Sequence, residues 1–314
     1  MSASLSRSRA LALLASAPLA GVPVRARAQT ATIRLGTSPA DSYGEPFYAI
    51  AKGFFKQAGI DVSLTLIPAA SAIAEAVAGN ALDVGLADPI QVAHPVNAGV
   101  SLAFFAGGGL YRSDAPATLL VAAKTGPVNR AKDLEGGNVA VISLASISSL
   151  ATREWLRQNG ADVTKVKFIE MPFSTMVPAL GRGTIAAAFL AEPFLSDARN
   201  DVRVIGKAFD AIAKSFYISS WFAPRDWIAK NTGVARRLVQ VAYQTARWAN
   251  ANQGESAPII AEYTKIPLDR VRSMTRTQYA TSLDVRNMQP VLDIAYRYQQ
   301  LERPVNANTL IARI

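Results

Sequence analysis

Two hydrophobic periods alternate along the first third of the chain. TATIRLG (30–36), IDVSLTLIP (60–68), ALDVGLA (81–87) and VSLAFFAGG (100–108) are short apolar runs rich in β-branched or aromatic residues, as buried strands are. EPFYAIAKGFFKQAG (45–59), SAIAEAVAGN (71–80) and DPIQVAHPVNAG (88–99) carry apolar residues at helical spacing. They start at Ser, Glu or Asp and close around a glycine. Strand–helix–strand alternation of this kind predicts an α/β sheet covered by helices on both faces.

The pattern then recurs. IDVSLTLIPAASAIAEAVAGNALDVGLADP matches ADVTKVKFIEMPFSTMVPALGRGTIAAAFLAEP. Gly59 corresponds to Gly160, Pro68 to Pro172, Gly79 to Gly183 and Asp88 to Glu192, and the last two pairs share one spacing. Two similar α/β lobes are therefore expected. TLLVAAKTG (118–126) reads as a strand crossing out of the first lobe, and DVRVIGKAFD with AKSFYISSWFAP (201–224) as the return. Two crossings make a two-stranded hinge. From Arg225 onward the pattern is helical (RDWIAKNTG, VARRLVQVAYQTARWANANQG, ESAPIIAEYTK, LDRVRSMTR, NMQPVLDIAYRYQQL), and these helices are expected to pack on the first lobe. The boundaries that follow are a leader at 1–28, the first lobe at 29–117, the second at 118–212, and a return to the first lobe over 213–314.

Composition narrows the class. The 314 residues are half hydrophobic and 18% charged, enough for a sizeable core. No apolar run reaches the roughly 18–20 residues that a membrane-spanning helix needs. Arg7 and Arg9, the apolar stretch ALALLASAPLAG (10–21) and the small-x-small run Ala26-Arg27-Ala28 form an export signal, with cleavage expected after Ala28. Cysteine is absent, so neither disulfides nor a lipid-modified cysteine is expected, and a soluble protein of the periplasm fits. The formal charge is +10. Four arginines (Arg7, Arg9, Arg25, Arg27) fall in the leader, so the remainder carries +6 (10 less 4). Its basic residues are scattered, which argues against nucleic acid and for mild attraction of anionic solutes.

Several motifs in order resemble one family. Pro46-Phe47-Tyr48-Ala49, Lys52-Gly53-Phe54-Phe55 and Gly59-Ile60-Asp61-Val62 carry the resemblance first. Gly79-Asn80-Ala81-Leu82-Asp83-Val84-Gly85, Asp133-Leu134-Glu135-Gly136 and Ala191-Glu192-Pro193-Phe194 extend it to about residue 250. Together they resemble the solute-binding proteins of ABC importers for nitrate, sulfonate, taurine and bicarbonate, related to the thiamine-pyrimidine synthase-like superfamily. One departure is Gly183-Thr184-Ile185-Ala186-Ala187, where that family usually has an Asp before the Ala. The resemblance implies an α/β type II periplasmic-binding-protein fold. Each of its two lobes is a mixed sheet flanked by helices, two crossing strands hinge them, and a ligand sits between. It also implies a membrane permease and its cytoplasmic ATPase as partners.

Ligands of open α/β sheets sit beyond the carboxyl ends of the strands. Those ends supply the candidate binding residues Ser38, Ser42, Tyr43, Ser71 and Asp88 in the first lobe, and Ser143, Ser146, Ser148, Phe173 and Glu192 in the second. Trp221 joins them as a stacking partner for an organic group. The serine run 143–149 precedes a helix, whose N-terminal N–H groups and hydroxyls suit a sulfonate, carboxylate or phosphate. Capping accounts for one serine of that run, and solvation is the alternative for the others. Asp88 and Glu192 each precede a proline, which fits a helix N-terminus. If they touch ligand, they repel a plain anion and favour one that also donates hydrogen bonds, such as an amino-sulfonate or aminopyrimidine. His94 is the single histidine, with no second ligand nearby, so no metal site or catalytic triad is expected, and no cofactor.

The expectation is a monomeric, non-enzymatic periplasmic receptor for a small organic anion or amphoteric solute. The alternatives are a pyrimidine-synthase-like enzyme on the same fold, which the resemblance ties to cysteines this chain lacks, and a periplasmic sensor partner of a signalling receptor.

Overall fold

The structure, a computed structural model, describes residues 31–314; the expected leader lies outside them. Two five-stranded sheets share one topology. In the first, Ala31–Thr37 runs parallel between Ile60–Leu66 and Val84–Ala87. Ser220–Pro224 lies antiparallel between Val84–Ala87 and Leu102–Gly107. In the second, Asn138–Val141 runs parallel between Lys167–Glu170 and Ala187–Ala191. Thr118–Ala123 lies antiparallel between Ala187–Ala191 and Val202–Gly206. The internal repeat is thus a repeat of structure. Gly59 and Gly160 close equivalent helices in the left-handed conformation that glycine adopts without steric cost.

Helices cover both faces of the first sheet. Glu45–Ala51, Phe54–Gln57 and Thr232–Ala251 pack Phe54, Phe55, Ala235, Leu238 and Val241 against Ile33, Leu35, Val84 and Trp221. The predicted helix over 45–59 is two helices, because Gly53 takes a left-handed φ of 71° between them. Ala70–Ala78 and Pro89–Asn97 cover the opposite face.

The crossing differs from expectation. Thr118–Ala123 belongs to the second sheet. The chain leaves the first lobe one strand earlier, along Gly109–Arg112, and returns along Ser215–Tyr217. These two strands pair antiparallel, and Gln278–Tyr279 adds a third. Gly107 and Gly108 before that strand, with Gly109 at its start, allow close backbone approach. A methyl group on Gly109 would collide with the Ser42 carbonyl. One on Gly108 would stand 2.7 Å from the Ser219 carbonyl oxygen, and one on Gly107 2.6 Å from that of Ser282. On the second-lobe side the crossing is anchored by aromatic rings. Tyr111 lies 5.1 Å from both Phe209 and Phe216, and Phe189 lies 4.9 Å from Phe209.

The C-terminal helices do not all stay on the first lobe. Gln289–Arg297 packs against both Pro89–Asn97 and the second-lobe helix Ile147–Gln158. Its contact to the second lobe centres on Glu154, which is buried. One carboxylate oxygen accepts from Arg157 (2.7 Å), Gln158 (3.0 Å) and Arg297 (2.7 Å), the other from Arg157 (2.9 Å) and Tyr298 (3.1 Å). The Arg157 hydrogen bonds, reinforced by the Gln158 and Tyr298 donors and the Arg297 charge, hold this carboxyl down at about 2 against the opposing effect of burial.

Two outcomes test these points. Gly109→Ala is expected to lower unfolding stability by about 1–3 kcal/mol through overpacking. Gly181→Ala, at a helical position with nothing within 4 Å, should not; urea unfolding of both variants checks this. A carboxyl held below its unfolded value stabilises the fold above the ordinary range, and that contribution fades as pH falls from about 4.5 toward about 2. Glu154→Gln should therefore cost on the order of 2 kcal/mol at neutral pH, discounted for the half-exposed arginines, and flatten the acid limb of a stability–pH curve.

Candidate functional site: the strand-end loops of the two lobes

The carboxyl ends of the parallel strands open on loops that hold most of the predicted residues. In the first lobe Ser38 is buried and donates to the Pro68 carbonyl at 3.1 Å. The loop that follows is pinned to the crossing. The Ser219 hydroxyl donates to the Ser42 carbonyl at 2.5 Å and accepts from Gly109 N–H at 2.9 Å, and the Tyr43 hydroxyl donates to the Ile218 carbonyl at 3.2 Å. Burial, and then the charge of neighbouring Asp88, pushes the Tyr43 phenol well up. Ser71 is exposed in the first turn of Ala70–Ala78.

Asp88 caps Pro89–Asn97. Its Oδ1 accepts from Ile90 N–H at 2.9 Å and Gln91 N–H at 3.2 Å. The residue is 9% exposed, and among the described residues no other residue bonds its carboxylate. Burial raises this carboxyl to about 6, against the lowering effect of the two helix N–H groups.

In the second lobe, Ser146 is the cap of Ile147–Gln158. Its hydroxyl accepts weakly from Ser149 N–H (3.4 Å), donates to the Ser143 carbonyl (2.6 Å) and lies 2.6 Å from the Ser148 hydroxyl. The Ser143 hydroxyl accepts from Ala145 N–H. Capping therefore explains Ser146, whose hydroxyl pairs with that of Ser148 and meets the backbone carbonyl of Ser143. Phe173 opens the helix Phe173–Gly181 and lies against Phe194 at 5.7 Å.

Glu192 sits at the strand end equivalent to that of Asp88 but is used differently. Its carboxylate accepts from Ser196 N–H (3.1 Å) and the Ser196 hydroxyl (2.9 Å) within its own lobe. It also accepts from Thr275 N–H at 3.2 Å, on the C-terminal segment. Asp197, next to it, pairs with Arg270 at 3.0 Å. These two contacts join the second lobe to residues 270–275, which sequence patterning assigns to a helix over LDRVRSMTR but which leave the helix after Ser273.

One candidate is corrected. Trp221 is completely buried between the first sheet and its helices, and its indole N–H donates to Glu45 at 2.7 Å. It cannot stack on a ligand, because strand alternation turns it into the core. Glu45 is equally buried, and burial pushes its carboxyl well up. Sequence reading also missed Asp41 and Arg276. Arg276 donates to Asp41 at 2.8 and 3.0 Å and to the Tyr48 hydroxyl at 2.6 Å, and Thr277 N–H donates to Asp41 at 2.7 Å. That pair is 235 residues apart in sequence, and no local signal reveals it.

Among the described residues no group of His, Cys, Asp and Glu could hold a metal, and no helix is long and apolar enough to cross a membrane. Asp88→Asn keeps an oxygen for the cap and removes the buried charge. A carboxyl raised by burial stabilises the fold below about 4 and loses that contribution as pH rises through about 6. The variant is therefore expected to match or exceed wild-type stability at pH 7 and to lack the wild-type decline between pH 4 and 6, measured by denaturant unfolding.

None of the curated proteins matches the chain. Solved structures do. The periplasmic aliphatic sulphonate binding protein SsuA from Escherichia coli superposes with a TM-score of 0.76 at 18% identity, covering 90% of this chain and 92% of that one. The periplasmic nitrate-binding protein NrtA from Synechocystis PCC 6803 gives 0.71 at 16% identity, covering 90% and 84%. A DSZB mutant in complex with biphenyl-2-sulfinic acid gives 0.71 at 14% identity, covering 90% and 96%. At these identities the likeness establishes the two-lobed periplasmic-binding-protein fold. The NMT1/THI5-like family profile matches residues 43–256, more than half of the sequence. The chain belongs to the NMT1/THI5-like family.

Proposed function

We propose that this protein is the periplasmic solute-binding component of an ABC importer. It captures a small organic anion or amphoteric solute between its lobes and hands it to a membrane permease driven by an ATPase. The observation that carries the reading is the union of fold and site. Two sheets of one topology each end in loops rich in hydroxyls and carboxylates, and the second lobe is joined to the C-terminal segment where Thr275 meets Glu192 and Arg270 meets Asp197. The two proteins of similar fold named for sulphonate and nitrate binding support it. Ligand touching both lobes stabilises the closed arrangement by its differential affinity for that state. The role is binding rather than catalysis. The DSZB likeness is one of fold, and none of the strand-end residues described above forms a nucleophile–base pair.

Native mass spectrometry of protein purified without refolding should reveal one small molecule per chain. That compound, added back to stripped protein, should raise the melting temperature in proportion to the logarithm of its concentration above Kd. A panel of sulfonates, carboxylates and pyrimidines that leaves the melting temperature unmoved, with no copurified ligand, would overturn the reading.

A further inference from the structure

The C-terminal segment grips the second lobe twice, on opposite faces of its sheet. Ile147–Gln158 packs Leu150, Ala151 and Leu156 into the cluster that holds Leu120, Val139, Val141 and Phe189 on one face. On the other face, Leu195 of Phe194–Asp197 packs on the cluster that holds Val121, Ala140, Ala188 and Leu190. Gln289–Arg297 meets the first of these helices and Leu268–Ser273 the second.

The two grips are built differently. Val291, Leu292, Ile294 and Ala295 of Gln289–Arg297 share one buried cluster with Ile147–Gln158 and with Val92 and Ala93 of the first lobe. Beside that apolar contact Glu154 is buried under donors from Arg157, Gln158, Arg297 and Tyr298, and Gln300 donates to the Leu144 carbonyl at 3.2 Å. Pulling this junction apart would strip a buried carboxylate of its partners, which is costly. The other grip has no shared core. Val271 and Met274 pack with Phe47, Tyr48 and Ala246 of the first lobe, and no residue of Phe194–Asp197 is fully buried. The Arg270–Asp197 pair at 3.0 Å joins the two, with side chains 47% and 36% exposed, beside the Thr275 N–H that Glu192 accepts at 3.2 Å. Water can replace such exposed polar contacts at little cost.

We propose that this second grip is a release latch: the lobes part by pivoting on the Glu154 junction and the crossing strands, and the parting of Arg270 from Asp197 is the step that frees them. Arg270 and Asp197 are then positioning residues. They act on a solute through the fraction of chains that stand closed, which scales the apparent affinity. The latch works in the solute-free chain, so its test needs no ligand, and its failure leaves the receptor reading standing.

The chain has no cysteine, so two introduced thiols carry the only spin labels. Glu75→Cys and Arg182→Cys are exposed positions in Ala70–Ala78 and at the end of its second-lobe counterpart Phe173–Gly181. Pulsed dipolar spectroscopy of the full chain gives the distance between the lobes. Adding Arg270→Ala is expected to raise the ratio of a longer-distance to the shorter-distance population about two- to fivefold, the factor an exposed ion pair supplies. Salt at about 1 M should act in the same direction. The charge swap Arg270→Asp with Asp197→Arg should return the ratio to that of the labelled parent. Arg297→Ala should instead lower the melting temperature and move the ratio less than Arg270→Ala does. A distribution unmoved by Arg270→Ala, a swap that fails to restore it, or a larger shift from Arg297→Ala overturns the latch.

Discussion

The architecture depends on how closely two chain crossings approach the loop they support. Gly107, Gly108 and Gly109 let backbone meet backbone without intervening side chains, and one hydroxyl, that of Ser219, bonds both Gly109 and the loop at Ser42. The strand-end loop of the first lobe is thereby fixed to the strands that carry the chain into the second lobe. Tyr43 repeats the connection one residue later through Ile218. Any movement of the crossing strands is transmitted to this loop by short polar contacts rather than by deformable packing.

Electrostatics divides the buried acids into distinct roles. Asp41 and Glu154 are saturated with donors, and each joins parts of the chain far apart in sequence. Glu45 is set into apolar core, where the indole of Trp221 satisfies one oxygen while burial favours the neutral acid. Asp88 falls between these cases, half satisfied by its own helix. Carboxylates that look alike in the sequence therefore differ in chemistry through the number of donors that the fold brings to them.

The strand–helix periods and the internal repeat were enough to read two equivalent α/β lobes, because local periodicity and glycine placement encode them. The strand-end loops could be read for the same reason: a loop after an apolar run lies at a sheet's edge. The crossing was misread because nothing local says that Leu110–Arg112 pair with a segment a hundred positions away. Trp221 was misplaced because alternation in a fully buried strand leaves no polar face to set its phase. Thr275, Arg276 and Arg270 escaped notice because their partners lie far away in sequence.

The two sheets differ in how they draw on the chain. All five strands of the second come from one uninterrupted stretch, Thr118–Ala123 through Val202–Gly206. The first cannot be completed until Ser220–Pro224 arrives to fill the gap between Val84–Ala87 and Leu102–Gly107. The inner body can thus assemble autonomously while the outer one waits with two unpaired edges. A nascent or clipped polypeptide ending before residue 220 would not be half of the folded protein, but a finished module attached to an adhesive remnant.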